Sequence, residues 1–345
     1  MNIKESKSII LFFAILFALI ASVILFSYGD NISDDTVVIY VSVDQVFSEP
    51  ILKEYEKNTG INVRAVYDVE AAKTTGLVNR LIAEKDRPVA DVFWNGEFSR
   101  TITLKDEGIL ASYESPSGLD IPDQYHDPEG YWTGFGGRAR VLMINTELVQ
   151  IYPDSLFDLL NETYPGEEIA IAYPMFGTSA THAAALYAVL GPEEGKQFYQ
   201  DLADKGVRVV DGNSVVRDLV ADGRASIGLT DTDDAYGALE RGAPVEIIVP
   251  DQDENGIGTL IIPNTVALIA GAPHEEQGKH LIDYLLSREV EAELIDSGWF
   301  QVPLRDVEIT KNQFNGTIKG MDVNLNNVNA QQEDAMADLR EIFIR

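Results

Sequence analysis

From Thr36 onward, short continuous apolar runs alternate with segments whose apolar positions recur every three or four residues. "TVVIYVSV" (36–43) predicts a buried strand, and "SEPILKEYEKNTG" (48–60) a helix with Ile51, Leu52 and Tyr55 at helical spacing and Gly60 as its stop. "INVRAVYDV" (61–69) predicts the next strand, "KTTGLVNRLIAEKD" (73–86) a helix ended before Pro88, and "ADVFW" (90–94) a third strand. Strands alternating with helices imply an α/β fold, with a mostly parallel sheet covered on both faces. Ligands of such sheets sit beyond the carboxyl ends of the strands. The loops Ser42–Phe47 and Trp94–Ser99 are therefore the first places to seek a site.

The same alternation resumes further on. "GYWTGFGGRARVLMINTELV" (130–149) predicts a long strand around Arg138–Asn145 that carries the chain into a second lobe. The segments 168–191, 207–223, 225–242 and 245–252 each open on a strand, and all but the last continue into a helix. "GTLIIPNTVALIAGAPH" (258–274) reads as the return crossing, residues 275–298 as amphipathic helix, and "NAQQEDAMADLREIFI" (329–344) as a terminal helix. Expected boundaries are a leader over 1–30, a first lobe over 31–139 and 265–345, and a second lobe over 140–264. Two α/β lobes joined by two crossings make a hinged clamp with a cleft between them.

Composition narrows the function. The 345 residues, 45% hydrophobic and 24% charged, suffice for sizeable cores. A formal net charge of -30 argues against a nucleic-acid partner, since no basic stripe is available to neutralise phosphates. Without cysteine there is no disulfide and no thiolate site, and His126, His182, His274 and His280 show no zinc-hydrolase spacing. After Lys4 and Lys7, the uncharged run 9–29 is long enough to span a bilayer. It predicts an uncleaved anchor with its basic end in the cytoplasm and the folded part exported, periplasmic or on the outer face of the membrane. A cleaved signal peptide is the second reading of that run.

Two local patterns carry candidate chemistry. In "FGTSATHAA", Gly177 permits a tight turn, and Thr178, Ser179 and Ala180 open a helix whose free N–H groups attract anions; an ordinary helix cap is the plainer reading. In "GLTDTDDAYGAL", Asp231, Thr232, Asp233 and Asp234 follow a strand, and carboxylates this close repel unless cations or donors sit among them. One aspartate capping the next helix is the alternative there. Asn213 and Ser214 in "DGNSVV" are a ligand contact or a turn and cap. Tyr173, Tyr236 and Trp299 are pocket-wall or core residues.

The order of strand, "SVDQVFSEPILKEYEKNTGI", strand, helix and "ADVFW", followed by "YPMFGTSATHAAAL" and "ASIGLTDTDDA", resembles the extracellular solute-binding proteins of ABC importers. Within them it is similar to the ferric-ion-binding branch of the two-lobed type II periplasmic-binding-protein fold. The resemblance runs from about Thr36 to the end of the chain. It implies capture of a small solute between the lobes and delivery to a membrane permease and its ATPase, with no cofactor required. It also implies Fe(III) held with a synergistic anion as cargo, the anion at the helix start Gly177–Ala180. The family's adjacent iron-binding tyrosines are matched here by Asp233 and Asp234. Asp44 and Gln45 fall where the family places a polar ligand, and Asn95, Gly96 and Glu97 near its carboxylate ligand, with Ser42 in the first loop. The implied oxygen ligands for a metal are Asp44, Glu97, Asp233 and Asp234, hard donors suited to a hard cation.

The same carboxylates suit an ammonium or guanidinium group. A binding protein for an organic anion with a positive group, an aminoalkylphosphonate or other zwitterion, is therefore the alternative. A remote third reading makes Glu97 and Asp233 the acid and base of a glycoside hydrolase. No nucleophile elbow, P-loop or metalloprotease motif accompanies it, and the chain reads as no enzyme.

Overall fold

The continuous apolar runs become the central strands of one mixed sheet. The computed structural model describes residues 35–68, 75–299, 302–310 and 318–343. In the first part β1 (Thr36–Val41), β2 (Asn62–Tyr67), β3 (Val92–Asn95) and β4 (Leu110–Ala111) alternate with α1 (Gln45–Thr59), α2 (Thr75–Ala83) and α3 (Ser99–Asp106). Every residue of β1 and β3 is buried, as runs covered on both faces must be. Helix α1 buries Ile51, Leu52 and Tyr55 and ends on Gly60, whose φ of 77° closes the turn as the sequence predicts.

The second part holds β5 (Thr133–Asn145), β6 (Ile169–Ala172), β7 (Arg208–Val210), β8 (Ile227–Asp231) and β9 (Val245–Ile248). Its helices are α4 (Gly177–Leu190), α5 (Pro192–Asp204), α6 (Asn213–Ala221) and α7 (Thr232–Glu240). Strand β10 (Ile261–Ile269) returns to the first part, followed by α8 (Glu275–Leu285), α9 (Arg288–Asp296) and α10 (Leu325–Phe343). The sequence reads α8 and α9 as one amphipathic stretch. The chain breaks it at Ser287, whose hydroxyl accepts from the Val290 amide at 3.3 Å and caps a new helix. The terminal helix, placed with the first lobe by the sequence reading, packs along α4 and α5 and touches α3.

Strand order is β2-β1-β3-β10-β5-β8-β6-β7, with β4 on β10 and β9 on β5. Pairing is parallel where helices intervene, β1 with β3 and β6 with β7 and β8, and antiparallel along β5 and β10. Strand β5 belongs to both halves. Its first residues pair with β10 and its last, from Arg140, with β8 and β9. Both strands depart from regular pairing where the halves meet: Gly136 has a φ of 53°, and the β5–β10 register shifts between Pro263 and Asn264. Gly137 is required there, because a Cβ would stand 2.8 Å from the Ile261 side chain.

A buried carboxylate fixes this junction. Glu291 of α9 is 0% exposed and accepts from the amides of Gly136 (3.1 Å) and Leu304 (2.8 Å) and from Arg305 Nε (2.7 Å). Gly137 and Val302 exchange backbone hydrogen bonds beside it. The apolar run 9–29 lies outside the described residues; among those described, no helix is long and apolar enough to cross a membrane. Removing one partner of a buried pair strands the other charge, so Glu291→Ala should cost about 3–5 kcal/mol in urea unfolding. Glu291→Gln, which keeps an acceptor for the two amides, should lose less.

Candidate functional site

The three clustered aspartates find their counter-charges on three arginines. In the β5–β8 register Arg140 stands opposite Asp231. Arg140 Nη1 meets Asp231 Oδ1 at 2.6 Å, with both side chains almost wholly buried. The other oxygen, Asp231 Oδ2, accepts from Thr178 Oγ1 at 2.5 Å and Asn213 Nδ2 at 2.9 Å. Asp231 occupies the cap position of α7 but makes no side-chain cap bond. Its carboxylate instead ties the starts of α4, α6 and α7 to β5, with both oxygens satisfied, while Arg140 Nε makes no hydrogen bond. Beneath this network the His182 imidazole is held well below its usual 6.5 by burial and by Arg140, and is neutral.

Two residues earlier on the same face of β5, Arg138 reaches Asp233 Oδ2 at 3.4 Å and donates from Nη2 to the Gly96 carbonyl at 3.1 Å. Its guanidinium lies 5.8 Å from the Trp299 ring centroid, and its Nε is buried with no hydrogen-bond partner. Arg217 of α6 pairs with Asp234 Oδ1 at 3.2 Å. Burial, with the charges of Asp233 and Asp231, pushes the Asp234 carboxyl up to about 7. Burial also raises Asp233, against the pull of Arg138.

Beside this charged cluster lies a cavity of ≈ 370 Å³ between the carboxyl ends of the two sets of strands. Of the residues singled out from the sequence, Ser42, Gly96, Glu97, Gly177, Thr178, Ser179, Asn213, Asp231, Asp234, Tyr173 and Trp299 line it. Gly177, with a φ of 53°, turns the chain into α4, whose first amides face no acceptor within the helix. Glu97 is held in place by the amides of Ser99 (2.6 Å) and Arg100 (2.9 Å), which it accepts at the start of α3.

Other singled-out residues stand outside the wall, each with a local reason. Asn95 is wholly buried, accepting from Ser42 Oγ at 2.6 Å and donating to Thr101 Oγ1 at 3.1 Å. Thr232 accepts the Ala139 amide at 3.1 Å. Asp44 takes the cap position of α1, and Gln45 donates along that helix to Glu49 at 3.0 Å. Ala180 is packed inside α4, Asp233 is turned to Arg138, and Ser214 and Tyr236 are away from the cavity. The oxygen ligands implied for a metal, Asp44, Glu97, Asp233 and Asp234, are thus dispersed among a helix cap, a helix start and two arginines. Among the described residues, no group of three or more His, Asp or Glu gathers as a metal site. The acid and base of the hydrolase reading, Glu97 and Asp233, are both engaged in these structural contacts.

Sequence reasoning missed Arg138, Ala172, Phe176, Asp211 and Gly212, which also line the cavity. The signal for the first was present. Two arginines at i and i+2 in a long apolar strand share one face and demand carboxylates opposite.

The sequence profile described as bacterial extracellular solute-binding protein matches residues 88–317. The chain belongs to this family. A periplasmic-binding protein of Sinorhizobium fredii, named for an ABC transporter, is 30% identical over 223 residues, spanning 63% of this chain and 61% of that protein's length. A periplasmic protein of Salmonella typhimurium, named for 2-aminoethylphosphonate binding, is 26% identical over 250 residues, 71% of this chain and 70% of its own. An iron- and citrate-bound structure from Trichodesmium superposes with a TM-score of 0.80 at 22% identity, covering 90% of this chain and 100% of that one. The two-lobed periplasmic-binding fold expected from the sequence is therefore the fold of this solute-binding protein.

The raised Asp234 carboxyl has a pH signature. Between its ordinary range near 3.8 and about 7, the folded chain holds a proton that the unfolded chain has lost. Stability therefore falls as pH rises through that window. Asp234→Asn should flatten this part of the profile of melting temperature against pH from 4 to 7.5, and an unchanged slope would remove Asp234 as its source.

Proposed function

We propose that this chain is the extracytoplasmic binding component of an ABC importer and that its solute is a small zwitterion, an oxyanion bearing a cationic group. The lobes hinge between residues 139 and 140 and again between 264 and 265, with the solute held between them. One observation carries the reading: Arg138 and Asp234 line the same cavity, so one wall offers donors and carboxylates together. The oxyanion takes Arg138 and the opening amides of α4. The cationic group takes Asp211, with Asp234 elsewhere in the same cavity wall adding to the attraction. The name of the Salmonella relative supports a solute of this class.

Fe(III) with a synergistic anion is the second reading. It draws on the likeness to the Trichodesmium protein, whose structure holds iron and citrate, and on Glu97, Asp231 and Asp234 as hard oxygen donors in the cavity wall. It requires these carboxylates to leave the arginines and amides that hold them. The permease and ATPase partners, and an export anchor over 9–29, complete the importer reading.

A thermal-shift assay on the metal-stripped full chain separates the two. Amine-bearing phosphonates, phosphates and carboxylates should raise the melting temperature without metal, by an amount equivalent to about 2.7 kcal/mol at a hundredfold excess over Kd. Arg138→Ala should abolish the rise. Stabilisation only by Fe(III) together with citrate or carbonate would replace the zwitterion with iron.

A further inference from the structure

We propose that the cationic group of the solute is a methylated ammonium, seated in a corner formed by Tyr173, Phe176 and Asp211. The proposal rests on the zwitterion reading and adds the chemical class of its positive end.

Tyr173 and Phe176 both line the cavity, with ring centroids 6.0 Å apart and planes inclined by 59°, so that they form an open angle. Phe176 is 71% exposed, unlike the packed aromatic residues of the core. A phenylalanine left in water forgoes the stabilisation that burial of its ring would give. The backbone explains its position. Phe176 caps α4 in an extended conformation (φ -143°), and the positive φ of Gly177 that follows turns the helix away from it.

The carboxylate comes from the neighbouring strand. The Tyr173 amide donates to the Val210 carbonyl at 2.7 Å, which sets the next residue, Asp211, beside the aromatic pair. Asp211 lines the cavity and makes no hydrogen bond or ion pair among the described residues. Elsewhere in the molecule rings already carry cations of the chain itself: Arg80 on Tyr40 at 4.7 Å, Lys105 on Tyr131 at 5.1 Å, and Arg138 on Trp299 at 5.8 Å. Among the described residues, neither Tyr173 nor Phe176 has such a partner.

The chemistry of the corner distinguishes two kinds of ammonium. A primary ammonium carries three N–H donors and needs an acceptor for each. The Asp211 carboxylate and the buried Tyr173 hydroxyl, which has no hydrogen-bond partner, can take some of these donors, but the two rings offer a primary ammonium only weak acceptors. A trimethylammonium has no donors. It buries its methyl groups against the rings, while its charge is stabilised by their quadrupoles and by the carboxylate.

Calorimetry on the full chain with phosphocholine and phosphoethanolamine, which differ only in three N-methyl groups, tests this directly. Glycine betaine and glycine repeat the comparison with a carboxylate as the anion. The methylated member of a pair should bind about tenfold tighter. Phe176→Ala, at an exposed position that leaves the fold intact, should bring the two members to near parity by weakening only the methylated one. Asp211→Asn should weaken the methylated member as well. Equal or tighter binding of the primary amines, or an equal loss of both members in Phe176→Ala, overturns the methylated-ammonium assignment and leaves the zwitterion reading standing. Failure of all four compounds to bind overturns both.

Discussion

A strand that ends in three aspartates can be buried only against an equal supply of positive charge, and most of the site follows from where that charge comes from. Arg140 meets Asp231, Arg138 meets Asp233, and Arg217 meets Asp234. The first pair is sealed and the other two reach the cavity edge. Sealing Asp231 uses a hydroxyl from α4 and an amide from α6, so a single carboxylate sets the relative positions of three helix starts. In low-dielectric surroundings an unpaired charge of this set is costly, which is why each aspartate is set against an arginine.

This closure changes what the cavity offers a solute. Asp231 is spent on structure and Glu97 on the start of α3, so the carboxylates in the wall are not equivalent. Arg138 differs from Arg140 in the length of its contacts: it lies where the halves meet, with bonds of 3.4 and 3.1 Å against the 2.6 Å of Arg140 to Asp231. The two arginines on one strand face thus divide into a tightly paired guanidinium and a loosely held one, each with a buried Nε that has no hydrogen-bond partner.

The architecture was largely legible in the sequence because its signals are local. Buried runs such as 36–43 and 90–94, the Gly60 stop and the alternation of strand and helix are each fixed within a few residues. The loops at strand ends were legible for the same reason, and Ser42, Glu97, Thr178 and Asn213 do line the cavity. What was not legible is non-local. Asn95 and Thr232 sit in the right loops, yet their side chains turn to Ser42, Thr101 and Ala139, a choice set by packing from distant strands. Arg138 was passed over because its strand read as a connection between lobes. Asp211 and Phe176 were passed over because exposed residues carry no periodic signal.

The junction of the lobes has one more consequence. Gly136 and the register shift at Pro263–Asn264 lie at one level, and Arg138 follows two residues later. In any rotation about that level, displacement grows with distance from the pivot. Arg138, two residues from that level, would therefore travel little. In the binding proposed above, the contact with the solute's anion would then be close to stationary. On that proposal the cargo would be held at the fulcrum rather than at the jaws.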